Sequence, residues 1–184
     1  MKKFAAAAAM AALFVVPAKA DVIDYAQLLA GVTQSPDLGY GCCDYEMDLG
    51  YNVGGGFGWK VAPNVTVGAD LFFTSSDYDG YSTSLESFST LIAGTYFFDM
   101  DGCRPFVGVG VGANHISYVG AGSSSGAEWA FGYQGSVGVL IPADDKLDII
   151  IGYRYQGASD VTIDGVPDIE YQSHNLSLGF NFNL

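Results

Sequence analysis

Basic residues are scarce in this chain: its 184 residues include 7 Lys and Arg against 20 Asp and Glu, a formal net charge of −13. A surface of that sign repels phosphate backbones, so nucleic acid is excluded as a partner. Long apolar runs are also missing. After residue 20 no stretch approaches the roughly 20 consecutive apolar residues that a membrane-spanning helix needs. Cysteine and histidine number only 3 and 2. The adjacent Cys42 and Cys43 have no His beside them, which makes a poor metal site, and no cofactor is expected.

What is present begins with a targeting segment. Lys2 and Lys3 precede an apolar run from Phe4 to Val16, and Ala18-Lys19-Ala20 fits the small-x-small pattern of a secretory cleavage site. The apolar run is too short to span a membrane. We therefore expect residues 1–20 to be a signal peptide cleaved after Ala20, and residues 21–184 to be one domain. Its removal takes away Lys2, Lys3 and Lys19 and leaves four basic residues against 20 acidic ones, a net charge of −16.

Turn signals divide the rest into eight stretches of strand length, and the breaks alternate between short and long. The short breaks are Ala62 to Asn64, Asp99 to Arg104 and Pro142 to Lys146. Each holds Pro, Asn or Asp-Gly, residues suited to tight turns. The long breaks start at Ser35, Ser76, Gly120 and Gly157, and long and short breaks together hold most of the acids. Asp77 to Gly80 and Asp99 to Gly102 read as Asp-Gly turns, since neither continues into the ligands of an EF-hand loop. Weak divalent bridging between the acidic loops and lipopolysaccharide is a further possibility.

The stretches alternate with period two, the signature of extended strands. In "SHNLSLGFNFNL", His174, Leu176, Leu178, Phe180, Phe182 and Leu184 oppose Asn175, Ser177, Gly179, Asn181 and Asn183. In "LDIIIGYRYQ", Leu147, Ile149, Ile151, Tyr153 and Tyr155 oppose Asp148, Ile150, Gly152, Arg154 and Gln156. "EWAFGYQGSVGVLI", "MDLGYNVGGGFGWKV", "FVGVGVGAN" and "VTVGADLFF" repeat the pattern, the last with Asp70 on the polar face. The first stretch, near Tyr25 to Gln34, and the fourth, near Leu85 to Phe98, alternate less cleanly, and the pattern assigns them no face.

The polar faces decide the class. In a soluble sandwich or lipocalin the polar face meets solvent and carries many Lys, Asp and Glu. Here it is Gly, Asn, Ser and Gln with isolated charges, as suits the interior of a narrow barrel whose aliphatic face meets hydrocarbon. Aromatics gather at both strand ends: Trp59, Phe98 and Phe182 on the turn side, and Tyr51, Phe73, Trp129, Tyr155 and Tyr171 on the loop side. Two such girdles mark a membrane barrel. The expected fold is all-β, an eight-stranded antiparallel up-and-down transmembrane β-barrel.

The chain resembles the eight-stranded outer-membrane barrels of Gram-negative bacteria, the OmpA-type and opacity-protein-like surface antigens. The resemblance rests on "CRPFVGVGVGANH", similar to their fifth strand, on "LDIIIGYRYQ", similar to their seventh, and on the C-terminus. It implies that Ser177, Gly179, Phe182 and Leu184 form the signal read by the barrel-assembly machinery, with Leu184 where the family usually has Phe. It also implies an outer-membrane location among lipid and lipopolysaccharide. OmpA-type proteins often carry a peptidoglycan-binding domain after the barrel; this chain ends at the barrel, so tethering to the cell wall is not expected.

An eight-stranded barrel is filled by its own side chains, which argues against a general diffusion pore. Counted from the turns, Asp70 on the third strand and Arg154 on the seventh lie at similar heights on opposite sides. We expect an ion pair across the lumen, or else a nearer partner or lumen water for each charge. Lys60 and Asp148, both near the turn end, form a candidate second pair, with the same alternative of a nearer partner or lumen water for each charge. Cys42 and Cys43 lie in the first outer loop and Cys103 in a turn at the other end. A hydrocarbon layer of roughly 30 Å would separate them, beyond the reach of a disulfide.

One motif bears on a hydrolase. His115-Ile116-Ser117 with Glu128 resembles the His-x-Ser plus Glu set of the lipid A 3-O-deacylases. That family carries its His-x-Ser on the penultimate strand, where "YRYQGAS" has no His, and Ser117 and Glu128 fall on different faces. The expected role is therefore non-enzymatic, with no catalytic residues: a surface protein whose barrel is a scaffold and whose four outer loops contact an unidentified extracellular ligand. A small-conductance porin-like channel is the alternative.

Overall fold

A computed structural model describes residues 23–35, 38–40, 43–45, 48–77, 84–119, 127–163 and 166–184, with side-chain surroundings for 23–35, 48–77, 84–117, 127–159 and 171–184. The signal segment and its cleavage after Ala20, Cys42, the side chain of Cys43, and much of the outer loops lie outside the described residues.

Eight antiparallel strands close into a barrel: β1 Tyr25–Gln34, β2 Gly50–Ala62, β3 Val65–Asp77, β4 Ser84–Phe97, β5 Arg104–Val119, β6 Ala127–Asp144, β7 Leu147–Ile163 and β8 Val166–Asn183. Each strand pairs with its sequence neighbours, and β1 pairs with β8 to close the ring, from Tyr25 opposite Asn183 to Gln34 opposite His174. Closure leaves no open edge, so the backbone groups are satisfied within the sheet, as lipid requires. The segments Leu38–Tyr40 and Cys43–Tyr45 pair as a hairpin in the first outer loop.

The short turns sit at one end. Gly102 has φ 79°, which glycine adopts without steric cost, and it lies inside the turn that bridges Met100 to Cys103. Cys103 there is a free thiol. The turn between β6 and β7 is tighter than its Pro-Asp content suggests. Pro142 to Asp144 stay in β6 across a register shift, and the Asp144 carboxylate accepts from the Lys146 backbone N–H at 2.7 Å. At the other end the fourth break corrects a sequence expectation. The stretch from Gly157 to Glu170 is mainly paired strand, with Val166 opposite Ile163 and Ile169 opposite Val161. Pro167 and Asp168 fall at the first of two register shifts, between Val166 and Ile169, which keeps the described residues on either side in the ladder.

The apolar face is the outer one. Val107, Val109, Val111, Val137, Ile151, Leu176, Leu178 and Phe180 are exposed, while Asn52, Asn114, Gln134, Gln156, Ser173, Asn175 and Ser177 are buried in the lumen. Trp59, Phe98 and Phe182 stand on the outer face toward the turns, and Tyr51 and Trp129 toward the loops. Tyr171 is a correction. It points inward at 3% exposure, and its hydroxyl lies 2.8 Å from Thr74 Oγ1 and donates to Ser173 Oγ at 3.2 Å. It shares parity with Ser173 and Asn175, so the pleat sends it to the lumen whatever its height. The two unassigned strands also turn apolar residues inward, Leu29 on β1 and Leu91 and Ala93 on β4.

Candidate functional site

Halfway up the lumen four strands meet in one polar cluster. Asp70 on β3 accepts from Gln27 Nε2 of β1 at 3.2 Å through Oδ1. Its Oδ2 accepts from Gln134 Nε2 of β6 at 2.8 Å and from Arg154 Nη1 of β7 at 3.3 Å. Arg154 Nη1 also donates to Gln134 Oε1 at 2.8 Å, and its guanidinium carbon lies 3.7 Å from the centroid of the Phe72 ring. Both charges are buried, Asp70 at 5% and Arg154 at 8% exposure. A charge so far from water costs several kcal/mol unless it is paired and hydrogen-bonded, and both conditions hold here. Glycine supplies the space: a Cβ on Gly56 would lie 2.4 Å from Asp70 Oδ1.

The structure thus brings Asp70 and Arg154 together. It does not bring Lys60 to Asp148. Asp148 Oδ2 accepts from Asn181 Nδ2 at 3.0 Å and Asn183 Nδ2 at 3.1 Å, while the exposed Lys60 is held through its backbone N–H by Asp24 Oδ2 at 2.7 Å. The reason is adjacency. Asn181 stands opposite Asp148 in the ladder, whereas β8 and β1 intervene between β7 and the strand of Lys60. Gln27, Gln134 and Phe72 were not singled out as site residues. Phe72 could have been, because it lies two residues beyond Asp70 and so on the same face.

Above the cluster, toward the loops, the lumen is packed. Phe72, Leu91, Ile116, Gln156, Asn52, Asn114, Asn175, Thr33, Ser87, Ser89 and Ser173 are each under 2% exposed. Ser177 Oγ donates to Asn52 Oδ1 at 2.8 Å, and Asn175 Nδ2 donates to Ser173 Oγ at 3.1 Å and to the Arg154 carbonyl at 3.3 Å. Below it, toward the turns, lies a cavity of about 70 Å³ with Asp70 and Arg154 among its lining residues. The lumen is therefore a vestibule that ends at a charged plug.

With this closed, outward-apolar barrel the sequence comparison agrees: the profile of the outer membrane protein beta-barrel domain matches residues 5–182. The chain belongs to that family. A search of curated proteins found no match. Among solved structures, the Neisserial surface protein A is similar at TM-score 0.66 and 19% identity, covering 87% of this chain and 96% of that one. OprG of Pseudomonas aeruginosa is similar at TM-score 0.54 and 12% identity, with 89% and 98% covered. Ail of Yersinia pestis follows at TM-score 0.51 and 14% identity, with 86% and 99% covered. At these identities the likeness speaks for the fold.

Within this outer-membrane barrel, the residues of the expected assembly signal divide between the two faces of β8. Ser177 and Gly179 face inward, and Phe182 and Leu184 are exposed at 39% and 53%. Leu184 is tied down by its N–H, which donates to the Asp24 carbonyl at 3.1 Å.

The residues of the hydrolase motif are split. Ile116 is fully buried in the lumen, so its neighbours His115 and Ser117 project outward, and His115 packs against Trp129 with centroids 4.9 Å apart. Glu128 stands opposite Ile116 and shares its inward face. Ester cleavage needs base, acid and hydroxyl within hydrogen-bond reach of one another. Overexpression should accordingly leave the mass of lipid A unchanged in mass spectrometry. A lost acyl chain that His115→Ala restored would contradict this reading.

Proposed function

We propose that this outer-membrane barrel is a surface-exposed structural and interaction protein, in which the barrel is the scaffold and the four outer loops are the contact surface. The observation that carries the reading is the plug. Asp70, Gln134 and Arg154 close the lumen at mid-height, with the Phe72 ring stacked on the guanidinium in a layer of fully buried side chains. A barrel so filled has its free chemistry at its ends. Proteins of similar fold bear names such as Neisserial surface protein A and attachment invasion locus protein, which accords with a surface role.

The contact surface has a definite sign. The breaks between β1 and β2, β3 and β4, β5 and β6, and β7 and β8 contain no Lys or Arg, while they hold six acids. In this reading the loops meet anionic lipopolysaccharide only through bridging divalent cations, and their extracellular ligand is of unknown identity. The barrel-assembly machinery is the expected partner in biogenesis, after removal of residues 1–20.

A channel is the second reading, favoured by one observation. The vestibule reaches the plug from the turn side, and above it Thr33 Oγ1, Ser87 Oγ, Asn114 Oδ1, Gln156 Nε2 and Asn175 Oδ1 have no partner among the described residues, which is a polar track that water could complete. Planar-bilayer recording separates the two. The scaffold reading expects no steady ion current from the purified barrel. Stable, stepwise conductance would favour the channel.

A further inference from the structure

The turn-side vestibule has a distribution of charge that the plug does not require. Outside the first 20 residues the chain has four basic residues, and three of them, Lys60, Arg104 and Arg154, line this one cavity. Its single lining carboxylate, Asp70, already accepts three hydrogen bonds and neutralises Arg154. The cations at the mouth are less committed. Arg104 makes one long contact, Nε to Asp99 Oδ1 at 3.7 Å, and lies over the Phe97 ring at 4.9 Å. The Lys60 ammonium has no partner among the described residues, although Asp24 lies near its backbone. Between mouth and plug the wall carries an apolar band of Leu29, Leu140 and Ile150, with Phe97 and Phe106 packed against it, beside polar residues such as Thr66 and Ser136.

We propose that this vestibule binds a small amphipathic anion, an aliphatic or aromatic monocarboxylate that enters from the turn side, the periplasmic end of an outer-membrane barrel. Its apolar part occupies the band of Leu29, Leu140, Ile150 and Phe106, and its carboxylate sits at the mouth between Lys60 and Arg104. The sign follows from the loosely held cations at the mouth, while the one lining carboxylate is already engaged by three donors. The apolar part follows from the band, which a hydrated inorganic anion would leave poorly matched. The size follows from the cavity: about 70 Å³ holds roughly five waters, or a ligand of fewer than about ten heavy atoms.

Hexanoate is the probe, titrated against the barrel in lipid nanodiscs and followed by the methyl NMR signals of Leu29, Leu140 and Ile150. Val109 and Leu178, which point to lipid, report partition into the bilayer. The proposal expects saturable shifts of the three inner residues with hexanoate and none with hexylammonium or acetate. Lys60→Gln, at an exposed position, should raise Kd about threefold, and Lys60→Gln with Arg104→Gln roughly tenfold, the range for solvent-exposed ion pairs. Shifts confined to Val109 and Leu178, equal response to hexylammonium, or an unchanged Kd in folded Lys60→Gln would each overturn it.

Discussion

Gly179→Ala will keep most of the chain from closing into a heat-modifiable barrel. Gly179 lies on β8 opposite Leu29 of β1, in the seam that joins the last strand to the first. A Cβ at this position would lie 1.9 Å from the Leu28 carbonyl oxygen and 2.9 Å from the Leu29 Cα, both backbone atoms that no rotamer change can move. Gly31 on the facing strand is as tight, 1.9 Å from the Leu176 carbonyl, so the seam has no slack on either side. Overpacking costs about 1–3 kcal/mol where side chains can shift, and more where, as here, the obstacle is the main chain of the strand that must pair, so the closure step itself is opposed. Gly135→Ala is the internal control, because nothing lies within 4 Å of its Cβ position. Unboiled gel mobility should show a folded band for Gly135→Ala and wild type and its near-complete loss for Gly179→Ala. Equal folded fractions would remove the seam from the account of closure.

Arg154→Met should destabilise the barrel by about 3 kcal/mol, the second large effect. Asp70 would keep the amides of Gln27 and Gln134 but lose its counter-charge, and a buried carboxylate left without one typically costs 3–5 kcal/mol. The vestibule below admits water, which places the figure toward the low end. Combining Arg154→Met with Asp70→Asn removes both charges and should recover much of the loss, since the cost arises from the orphaned charge rather than from the missing pair. Urea titration in liposomes, followed by tryptophan fluorescence, measures both variants. A single-variant loss below about 0.5 kcal/mol would mean that water already solvates Asp70.

Much of this architecture was legible in the alternation. Valines opposed to glycines on β5, and aliphatics opposed to Asn and Ser on β8, distinguish the two faces because the lumen there takes small polar groups while lipid takes large apolar ones. The rule fails on β1 and β4 for a physical reason. The lumen contains an apolar core of its own, built on Leu29, Phe72, Leu140 and Ile150, so Leu29 and Leu91 face inward and the polarity contrast between faces disappears. Height along a strand could be counted, and it led to Asp70 and Arg154. Azimuth could not, so the pattern left a nearer partner open for Asp148 without identifying the short carboxamides of Asn181 and Asn183, one strand away. Tyr171 shows the opposite case. Its parity was readable, but its aromatic character near a strand end pointed to a girdle.

The two tryptophans, Trp59 toward the turns and Trp129 toward the loops, are exposed on the outer face at opposite ends of the barrel, at 42% and 63%. Quenching by brominated phospholipids in the single-tryptophan variants Trp59→Phe and Trp129→Phe therefore asks directly whether the apolar face meets hydrocarbon. The account predicts strong quenching of each remaining tryptophan by lipids brominated near the headgroup, and weaker quenching by lipids brominated near the bilayer centre. Tryptophans that no brominated lipid quenches, but that a water-soluble quencher reaches, would place the apolar face away from lipid and contradict it.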